Sequence, residues 1–311
     1  MSYHEVKVIG KNKFHYIVKT LRVGGKIKKF RIYAGKGELE KKEIDGLIRK
    51  LSPKLDAKAR ELLASGDPLY GLLSEDEERL IEKIRLENLE KLGKMDSLAW
   101  KNYYEWFLVQ FTYNTNAMEG STLSLEDTNL ILFENTVPKG KSPREINEVQ
   151  NHKEAFDFTL AYKGSLTKRF ILDIHKKLMH NILWKAAGRF RDIDIYIRGV
   201  DMLPPPHLRV EEEFRKLMVW YNKNRRKYNT VITAAFFHSA FEAVHPFRDG
   251  NGRTGRLILN FMLRKAGFPM IDIKNRDRER YYKSLYEAQK KHNLRPLVEL
   301  IIDYLKELQN V

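Results

Sequence analysis

The stretch that decides the fold is His245-Pro-Phe-Arg-Asp-Gly-Asn-Gly-Arg-Thr-Gly-Arg256, called the signature stretch below. Apolar residues at helical spacing precede it from Thr230 and follow it as far as Gly267. Pro246 disfavours a helical conformation at His245, and the glycines that follow permit a tight turn. The spacing therefore predicts a helix, a glycine loop and a second helix.

The side chains of this loop suit a polyanionic ligand. Free backbone N–H groups and the helix dipole at the start of the second helix favour negative charge. Arg253 and Arg256 stand three residues apart, so that each guanidinium can fork onto a phosphate. Asp249 is a hard oxygen ligand for Mg²⁺, and His245 titrates near neutrality, as a general base requires. Together these residues predict a phosphate-handling site.

The signature stretch fills every specified position of the pattern HxFx(D/E)GNGRxxR and resembles the signature of the Fic family. Members of that family are mostly AMP transferases that act on protein hydroxyls. The Walker pattern GxxxxGK[ST] of P-loop proteins is absent from the chain. The resemblance covers about residues 97–311. It implies a mainly α-helical core with a β-hairpin flap, ATP as substrate, a protein target and Mg²⁺ as cofactor.

The resemblance also implies a role for each site residue. His245 would be the general base and Asp249 the Mg²⁺ ligand, while Arg253 and Arg256 would neutralise the outer phosphates. Further nucleotide contacts are expected from the loop, the flap and a tyrosine pair, namely Gly250, Asn251, Gly252, Thr254, Gly255, Ile195, Tyr196, Ile197, Arg198, Tyr281 and Tyr282. Gln289 stands where family members often place an asparagine, and this departure bears on recognition of the base.

A second, shorter match lies ahead of the core, at Thr115-Asn-Ala-Met-Glu119-Gly120. It fits (S/T)xxxE(G/N) and resembles the inhibitory motif of Fic proteins whose inhibitory helix precedes the core. In this interpretation Glu119 pairs bidentately with Arg256 and withholds it from the γ-phosphate. The alternative is a helix that ends at Gly120 and leaves Glu119 solvated.

Composition indicates a folded globular protein, with 311 residues, 42% hydrophobic and 11% aromatic side chains, and no cysteine. The lack of cysteine excludes disulfide and thiolate chemistry. No apolar run approaches the ~18 residues of a membrane span, and the first residues lack the charged-then-apolar order of a secretory signal. We therefore expect a cytoplasmic protein without membrane contact. Whether the protein forms a homodimer stays open.

The formal charge of +16 is uneven, because residues 1–50 hold 14 Lys and Arg against 5 Asp and Glu. β-forming residues between positions 3 and 35, with turns at Gly10 and at Gly24-Gly25, predict a three-stranded sheet. A basic sheet of this kind is suited to nucleic acid. The alternative is a solvated sheet face that docks on the rest of the protein.

We expect three regions along the chain: a small basic β domain in residues 1–50, a helical connector in 51–95, and a Fic domain with its inhibitory helix in 96–311. In the connector, Ser52-Pro53 predicts one helix start, with a stop at Gly66, and Ser74 predicts another start. Elements predicted beyond it are helices 97–114, 143–161, 166–182, 210–222 and 296–309, a capping box at Ser124, and a strand at 193–197. His175 and His180, five residues apart, are interpreted as packing or surface residues rather than as a metal pair.

The predicted function is Mg²⁺-dependent transfer of AMP from ATP to a Ser, Thr or Tyr hydroxyl of a protein, with release of pyrophosphate. Three alternatives stay open. A Doc-like phosphotransferase shares the fold, but Gly252, Arg253 and Arg256 argue against it because those relatives change these positions. A de-adenylylating hydrolase would use Glu119 to orient water, and a nucleic-acid-binding regulator would keep the core idle.

Overall fold

A computed structural model of the chain describes residues 2–9, 12–23, 26–65, 67, 69–134, 136–196 and 203–308. The chain divides into two compact units, Met1–Leu72 and Leu73–Val311. This division differs from the boundaries expected near residues 50 and 95. One helix of the first unit runs through residue 50, and the helix before residue 95 belongs to the second unit.

The first unit contains the predicted antiparallel three-stranded sheet, which is confirmed. Its strands are β1 (Ser2–Ile9), β2 (Asn12–Val23) and β3 (Lys26–Lys36), in the order β1-β2-β3. The pairing places Val18 of β2 opposite Tyr3 of β1 and Arg31 of β3. The turns predicted at Gly10 and at Gly24-Gly25 lie outside the described residues.

One face of this sheet is covered by helix α1 (Lys41–Ser65). Its core joins Ile17 and Phe30 of the sheet to Leu51 and Leu55 of the helix. The helix start predicted at Ser52-Pro53 is wrong, because α1 begins at Lys41 and contains Pro53. An interior proline costs ~3 kcal/mol, but each apolar side chain buried before it contributes about 1.5–3 kcal/mol. Burial against the sheet therefore outweighs the lost hydrogen bond; the stop predicted at Gly66 lies outside the described residues.

The second unit is helical, which confirms the mainly α prediction. Its helices are α2 (Glu75–Lys94), α3 (Ser97–Met118), α4 (Leu125–Phe133), α5 (Pro143–Ala161), α6 (Lys168–Met179), α7 (Val210–Asn224), α8 (Thr230–Val244), α9 (Asn251–Lys265), α10 (Arg278–Lys290) and α11 (Arg295–Glu307). Helix α9 lies at the centre, in contact with α3, α5, α6 and α8. Its side chains are buried on every side along most of its length, as expected for a core helix. Among the described residues, no helix is both long and apolar enough to cross a membrane.

Three helix starts predicted from caps, unlike the one at Ser52, are confirmed. Ser74, Ser124 and Ser142 each accept a hydrogen bond from the third residue of the following helix and complete a capping box. Helix α3 continues four residues beyond the predicted end at Asn114. The residues from Thr115 to Met118 are therefore helical, and this fixes how the shorter motif faces the core.

The strand predicted at residues 193–197 is wrong where it is described, because residues 193–196 form no strand. Hydrogen bonds to side chains replace strand pairing here. Arg191 donates to the carbonyl of Ile193, and Asp194 accepts from the backbone N–H of His207 at 2.7 Å. We call residues 189–208 the flap segment. Its residues 197–202, which include Ile197 and Arg198, lie outside the described part.

Candidate active site

The signature stretch forms the predicted loop between two helices. Helix α8 ends at Val244, and His245 takes a left-handed conformation with φ 47°. Gly250 has φ 75° at the start of α9, where a Cβ would also meet the Met179 sulfur at 2.9 Å. The chain thus turns sharply twice and brings His245 to the N-terminal end of α9.

Burial favours the neutral form of His245, and a backbone carbonyl fixes which ring nitrogen carries the proton. Its Nδ1 lies 3.2 Å from the carbonyl oxygen of Glu242. A carbonyl only accepts hydrogen bonds, so Nδ1 carries the proton and Nε2 keeps a lone pair. Burial lowers the pKa of His245 below its ordinary value of 6.5. The imidazole is therefore ready to accept a proton near pH 7.

Asn251 stabilises the loop from inside. Its Oδ1 accepts from the Phe247 N–H, and its Nδ2 donates to the Phe247 carbonyl, both at 2.9 Å. The expected contact of Asn251 with phosphate is therefore limited to its backbone N–H, because the buried amide is committed to the loop. The first helical bond of α9 runs from Thr254 N to Gly250 O, so the N–H groups of Asn251, Gly252 and Arg253 belong to the open first turn.

His175 joins α6 to the loop. The Gly188 N–H donates to its Nδ1 at 2.9 Å, and its Nε2 donates to the Asp249 carbonyl at 3.0 Å. Its ring stacks on Phe247 with centroids 3.6 Å apart. Burial lowers the pKa of His175 to about 4, which keeps it neutral. The interpretation of His175 as a packing residue is confirmed, and its two hydrogen bonds add a positioning role; His180 bonds the Lys177 carbonyl.

Asp249 belongs to a four-residue ionic network. Its carboxylate pairs with Arg144 and lies 3.3 Å from Arg253. Glu148 accepts a hydrogen bond from Arg144 Nε at 3.1 Å and forms an ion pair with Arg253 Nη1 at 3.1 Å. Burial would raise the pKa of Asp249, but Arg253 and Arg144 outweigh it and lower the pKa. The carboxylate therefore stays ionised. Sequence reasoning missed Arg144 and Glu148, although their i,i+4 spacing just after the Ser142 cap marks them as a pair on one helix face.

The donor set around Asp249 fits one kind of metal site. Within the described ranges, no cluster of three or more His, Cys, Asp or Glu side chains forms a cage. Mg²⁺ is often held by one or two carboxylates together with substrate phosphates and water. The ionised and partly exposed Asp249 matches that arrangement.

Arg256 is buried and connects α9 to the shorter motif on α3. Its Nε donates to Thr115 Oγ1 at 2.7 Å, and its Nη2 donates to the Thr115 carbonyl at 3.1 Å and to Glu119 Oε1 at 2.7 Å. The contact of Arg256 with Glu119 is confirmed, but its bidentate form is wrong. Only Nη2 reaches the carboxylate, because Thr115 occupies Nε. The two ends of the motif thus hold the same guanidinium.

Glu119 lies at the end of α3, followed by Gly120 with φ 99°. The alternative expected a helix end at this glycine, and that part is confirmed. The carboxylate of Glu119 bonds Arg256 although 36% of its side chain is exposed. Burial would raise the pKa of Glu119, but Arg256 outweighs it and lowers the pKa. A Cβ on Gly252 would stand 2.2 Å from Glu119 Oε1. The absence of a side chain at Gly252 therefore lets the carboxylate sit against the start of α9.

Three other predicted nucleotide contacts are engaged by neighbouring groups of the protein. The Thr254 hydroxyl donates to the Gly250 carbonyl at 2.7 Å and is fully buried, so its predicted use on a ligand is not what this structure shows. Gly255 faces Glu242, whose Oε1 would lie 2.3 Å from an added Cβ. Gln289 donates to the Ser239 carbonyl at 2.9 Å and so links α10 to α8.

The tyrosine pair lies between α10, α8 and the end of α3. Tyr281 is buried and its hydroxyl lies 2.7 Å from His238 Nε2. Tyr282 is more exposed and donates to the Met118 carbonyl at 3.4 Å. The two rings are 5.3 Å apart. They therefore stand beside the residue that precedes Glu119.

Arg191 ties the flap segment to the signature stretch. Its Nε donates to the His245 carbonyl at 2.9 Å, and its own N–H donates to the Pro246 carbonyl at 2.9 Å. Its Nη2 donates to the Pro205 carbonyl. Sequence reasoning gave Arg191 no role, although it follows Gly188 at the start of this segment. Of the predicted flap residues that are described, Ile195 is half-buried and Tyr196 is 79% exposed.

The structure is a helical domain with a glycine loop and an open first turn at the start of its central helix. Residues 165–263 match the Fic/DOC family. The chain therefore carries a Fic domain.

Known proteins agree with this assignment. The chain is 30% identical over 254 residues to "Protein adenylyltransferase Fic" of Nematostella vectensis, covering 76% of this chain and 59% of the relative. It is 35% identical over 197 residues to "Protein adenylyltransferase fic-1" of Caenorhabditis elegans, covering 61% and 38%. A solved fragment of C. elegans Fic-1 has TM-score 0.64 and 28% identity, with 87% of this chain and 76% of that one covered. The chain thus covers less than two thirds of these two curated relatives.

Proposed function

We propose that this protein transfers AMP from ATP to a Ser, Thr or Tyr hydroxyl of a target protein. The observation that carries the proposal is the neutral His245, with its Nε2 lone pair, beside the open first turn of α9. The relatives named protein adenylyltransferase support the same reaction class.

In this proposal the triphosphate binds at the N–H groups of Asn251, Gly252 and Arg253, where the helix dipole favours an anion. Arg256 and Arg253 neutralise the outer phosphates. His245 Nε2 accepts the proton of the attacking hydroxyl. The hydroxyl oxygen bonds to the α-phosphorus, and the bond to the β-phosphate oxygen breaks. Pyrophosphate leaves with the electron pair.

Asp249 would hold Mg²⁺ together with the phosphates. The metal would supply charge neutralisation on the phosphate oxygens when bound. Arg144 and Arg253 keep this carboxylate ionised, so it is ready to act as a ligand. Because Arg144 pairs with Asp249 at present, we expect Arg144 to move when the metal binds.

Glu119 restrains the reaction by holding Arg256. The Glu119 oxygen takes Nη2 of Arg256 and also stands against Gly252, at the place proposed for the phosphates. A γ-phosphate bound at the same place would have to displace this carboxylate, because two negative charges in close contact repel each other. Release of Glu119 therefore favours the productive position of ATP.

The target would lie along the flap segment. Large apolar side chains are exposed there and just before it, namely Trp184, Tyr196, Leu203 and Leu208, at 71–84%. An extended peptide that adds along such a segment is held mainly through its backbone, with neighbouring apolar contacts. This arrangement selects an accessible loop of the target rather than one strict sequence.

Removal of AMP is the second candidate reaction. The observation that favours it is the ionised Glu119 carboxylate beside the loop, where it can orient a water molecule. In that case Glu119→Gly gains addition of AMP and loses its removal. Incubation of premodified target with each variant, followed by mass spectrometry, measures the two directions separately.

The experiment that tests the main proposal uses ATP labelled at the α or the γ position in parallel reactions with full-length protein and lysate proteins. We expect label on protein from the α position only, with a larger amount for Glu119→Gly and almost none for His245→Ala. Label from the γ position only would contradict AMP transfer in favour of kinase chemistry. No transfer from either position by a folded Glu119→Gly variant would support an idle core.

A further inference from the structure

The side of the N-terminal sheet turned away from α1, called the outer face below, differs in character from the covered side. The strand register aligns Lys7, Phe14 and Lys36 in one row, Glu5, Tyr16 and Tyr33 in the next, and Tyr3, Val18 and Arg31 in a third. The apolar side chains packed against α1 alternate with these along the strands. The outer face is therefore a continuous surface across all three strands.

Aromatic rings form the middle of the outer face. The rings of Tyr16 and Tyr33 meet edge to face with centroids 5.8 Å apart, and Tyr33 is 54% exposed. Tyr3 on β1 is 38% exposed, whereas its register partner Val18 on the central strand β2 is fully buried. Single exposed aromatics are common on protein surfaces, but four rings on three short strands are a group. Their flat faces give a platform on which planar ligands can stack.

The charges around the rings are almost all positive. The register places Lys7, Lys29, Arg31 and Lys36 on the outer face, together with one acid, Glu5. On the outer face, Arg31 lies 2.8 Å and Lys29 lies 3.5 Å from Glu5, and the Lys36 ammonium stands over the Phe14 ring at 5.7 Å. Cations thus stand at both ends of the Phe14 row and at one end of the Val18 row. The partner must combine repeated negative charge with flat apolar groups.

We propose that the outer face binds single-stranded nucleic acid. Phosphates would lie along Lys7, Lys29 and Lys36, and bases would stack on Tyr3, Tyr33 and their neighbours. A duplex keeps its bases stacked on each other and so cannot use the rings. The three described rows hold neither Leu nor Trp and only one Phe, the side chains that insert into lipid, which distinguishes this surface from a membrane-binding one. The proposal is independent of AMP transfer, because it uses no residue of the signature stretch.

Fluorescence anisotropy with full-length protein tests the proposal, with labelled oligo(U) and oligo(dT) of about 12 nucleotides and a duplex of equal length as probes. We expect tighter binding to the single strands than to the duplex, and the comparison of oligo(U) with oligo(dT) tells RNA from DNA. Tyr3→Ala/Tyr33→Ala should weaken binding roughly tenfold or more. Tyr3→Phe/Tyr33→Phe keeps the rings and should retain the affinity. Circular dichroism melts check that each variant is folded.

A charge-matched pair of variants separates the outer face from general attraction. Lys29→Ala/Lys36→Ala should lower the log–log salt slope by about 0.7 per lysine. Lys54→Ala/Lys58→Ala removes the same charge from exposed positions of α1 and should change the slope less. Equal effects of the two pairs, equal affinity for duplex, or no effect of removing the rings would overturn the proposal. The proposal would also be overturned if no oligonucleotide bound and the rings were instead needed for self-association, measured by light scattering, or for binding to phosphatidylserine vesicles.

Discussion

The signature stretch and the flap segment lie side by side but are built in opposite ways. In the signature stretch the polar side chains are fixed: Asn251 bonds the Phe247 backbone twice, and Arg256 makes three hydrogen bonds. In the flap segment, Leu208 is 84% exposed and Tyr196 is 79% exposed. Arg191 joins the two, because its side chain bonds the carbonyls of both.

This difference separates two tasks. Catalytic groups must be held within a fraction of an ångström, which needs packing and second partners for each side chain. A surface that receives varied peptides needs exposed apolar groups and a free backbone instead. We therefore expect substitutions in the signature stretch to change the rate of chemistry, and substitutions in the flap segment to change target binding.

The largest effect is expected at His245. His245→Ala should lower AMP transfer by roughly 10²–10⁴-fold, because the attacking hydroxyl loses its general base. ATP binding should remain, since the N–H groups at the start of α9 are unchanged. Labelling with α-labelled ATP in the Glu119→Gly background gives the rate, and isothermal titration gives the ATP affinity.

His180→Ala is the matched control, because that histidine bonds only the nearby Lys177 carbonyl among the described contacts and should keep full activity. The wild-type pH profile adds a second check. Burial lowers the pKa of His245, so transfer should persist below the ordinary value near 6.5 and fall only at more acidic pH. Loss of activity that begins above pH 6.5 would contradict His245 as the titrating base.

The next effect concerns the contact between α3 and α9. Glu119→Gly should raise AMP transfer roughly 10- to 100-fold, because one charge-assisted hydrogen bond to Arg256 is removed and the site becomes free of a carboxylate. Glu119→Asp should relieve the restraint only in part, if the shorter side chain still reaches Nη2. Initial rates of self-modification measure both variants.

Thr115→Val tests the other end of this contact. It removes the oxygen that accepts from Arg256 Nε while it keeps Glu119, so Arg256 should be less well positioned and transfer should not rise. Equal transfer by wild type and Glu119→Gly would show that Glu119 does not restrain the enzyme. The comparison between the two variants therefore separates inhibition from positioning.

A smaller effect is expected where the two regions join. Arg191→Lys keeps the charge but loses the forked guanidinium that reaches the carbonyls of His245 and Pro205. Loss of one such charged hydrogen bond is worth about 1.5 kcal/mol, so kcat should fall roughly tenfold. The KM for target protein should rise with it, because the flap segment is also released. A change in KM alone would show that Arg191 does not position His245.

Local chemistry explains what the sequence could predict. Ser74, Ser124 and Ser142 cap helices through contacts only three residues away, and the glycines of the signature stretch fix their own turn. Such features depend on neighbours in the chain, so their patterns are visible in the sequence. The same holds for the three strands of the first unit, because the pattern of β-forming residues along them indicates a sheet directly.

Contacts between distant residues explain what the sequence could not predict. Arg144 reaches Asp249 across 105 positions, and Thr115 accepts from Arg256 Nε, so the expected bidentate pair of Arg256 with Glu119 does not form. The start of α1 is set by burial of residues before Pro53 against the sheet, which overrides the local preference of proline. In each case a partner far along the chain outweighs the local pattern.

The smallest effect on activity is expected at Glu242. This residue also gives the sharpest test of how tightly the signature stretch is packed. This carboxyl is buried beside Gly255, and within the described contacts its Oε1 has no hydrogen-bond partner. Burial raises its pKa from the ordinary 4.5 to about 8, so the group is neutral near pH 7. Glu242→Gln keeps the shape and the neutral state, and AMP transfer near pH 7 should therefore stay close to wild type.

The thermal stabilities of the wild type and of Glu242→Gln should differ in a pH-dependent way. A folded-state pKa above the unfolded value means that the protonated carboxyl favours folding fully below about pH 4.5, and that this contribution is lost as the pH rises through about 8. Glutamine does not titrate, so the Tm of Glu242→Gln should gain on wild type as the pH is raised from about 4.5 to about 8 and then stay level. Thermal melts across this range measure the difference. Parallel Tm curves would mean that Glu242 is paired or hydrated in solution. The core beneath the signature stretch would then be less tightly closed than the structure shows, and its contrast with the open flap segment would be smaller.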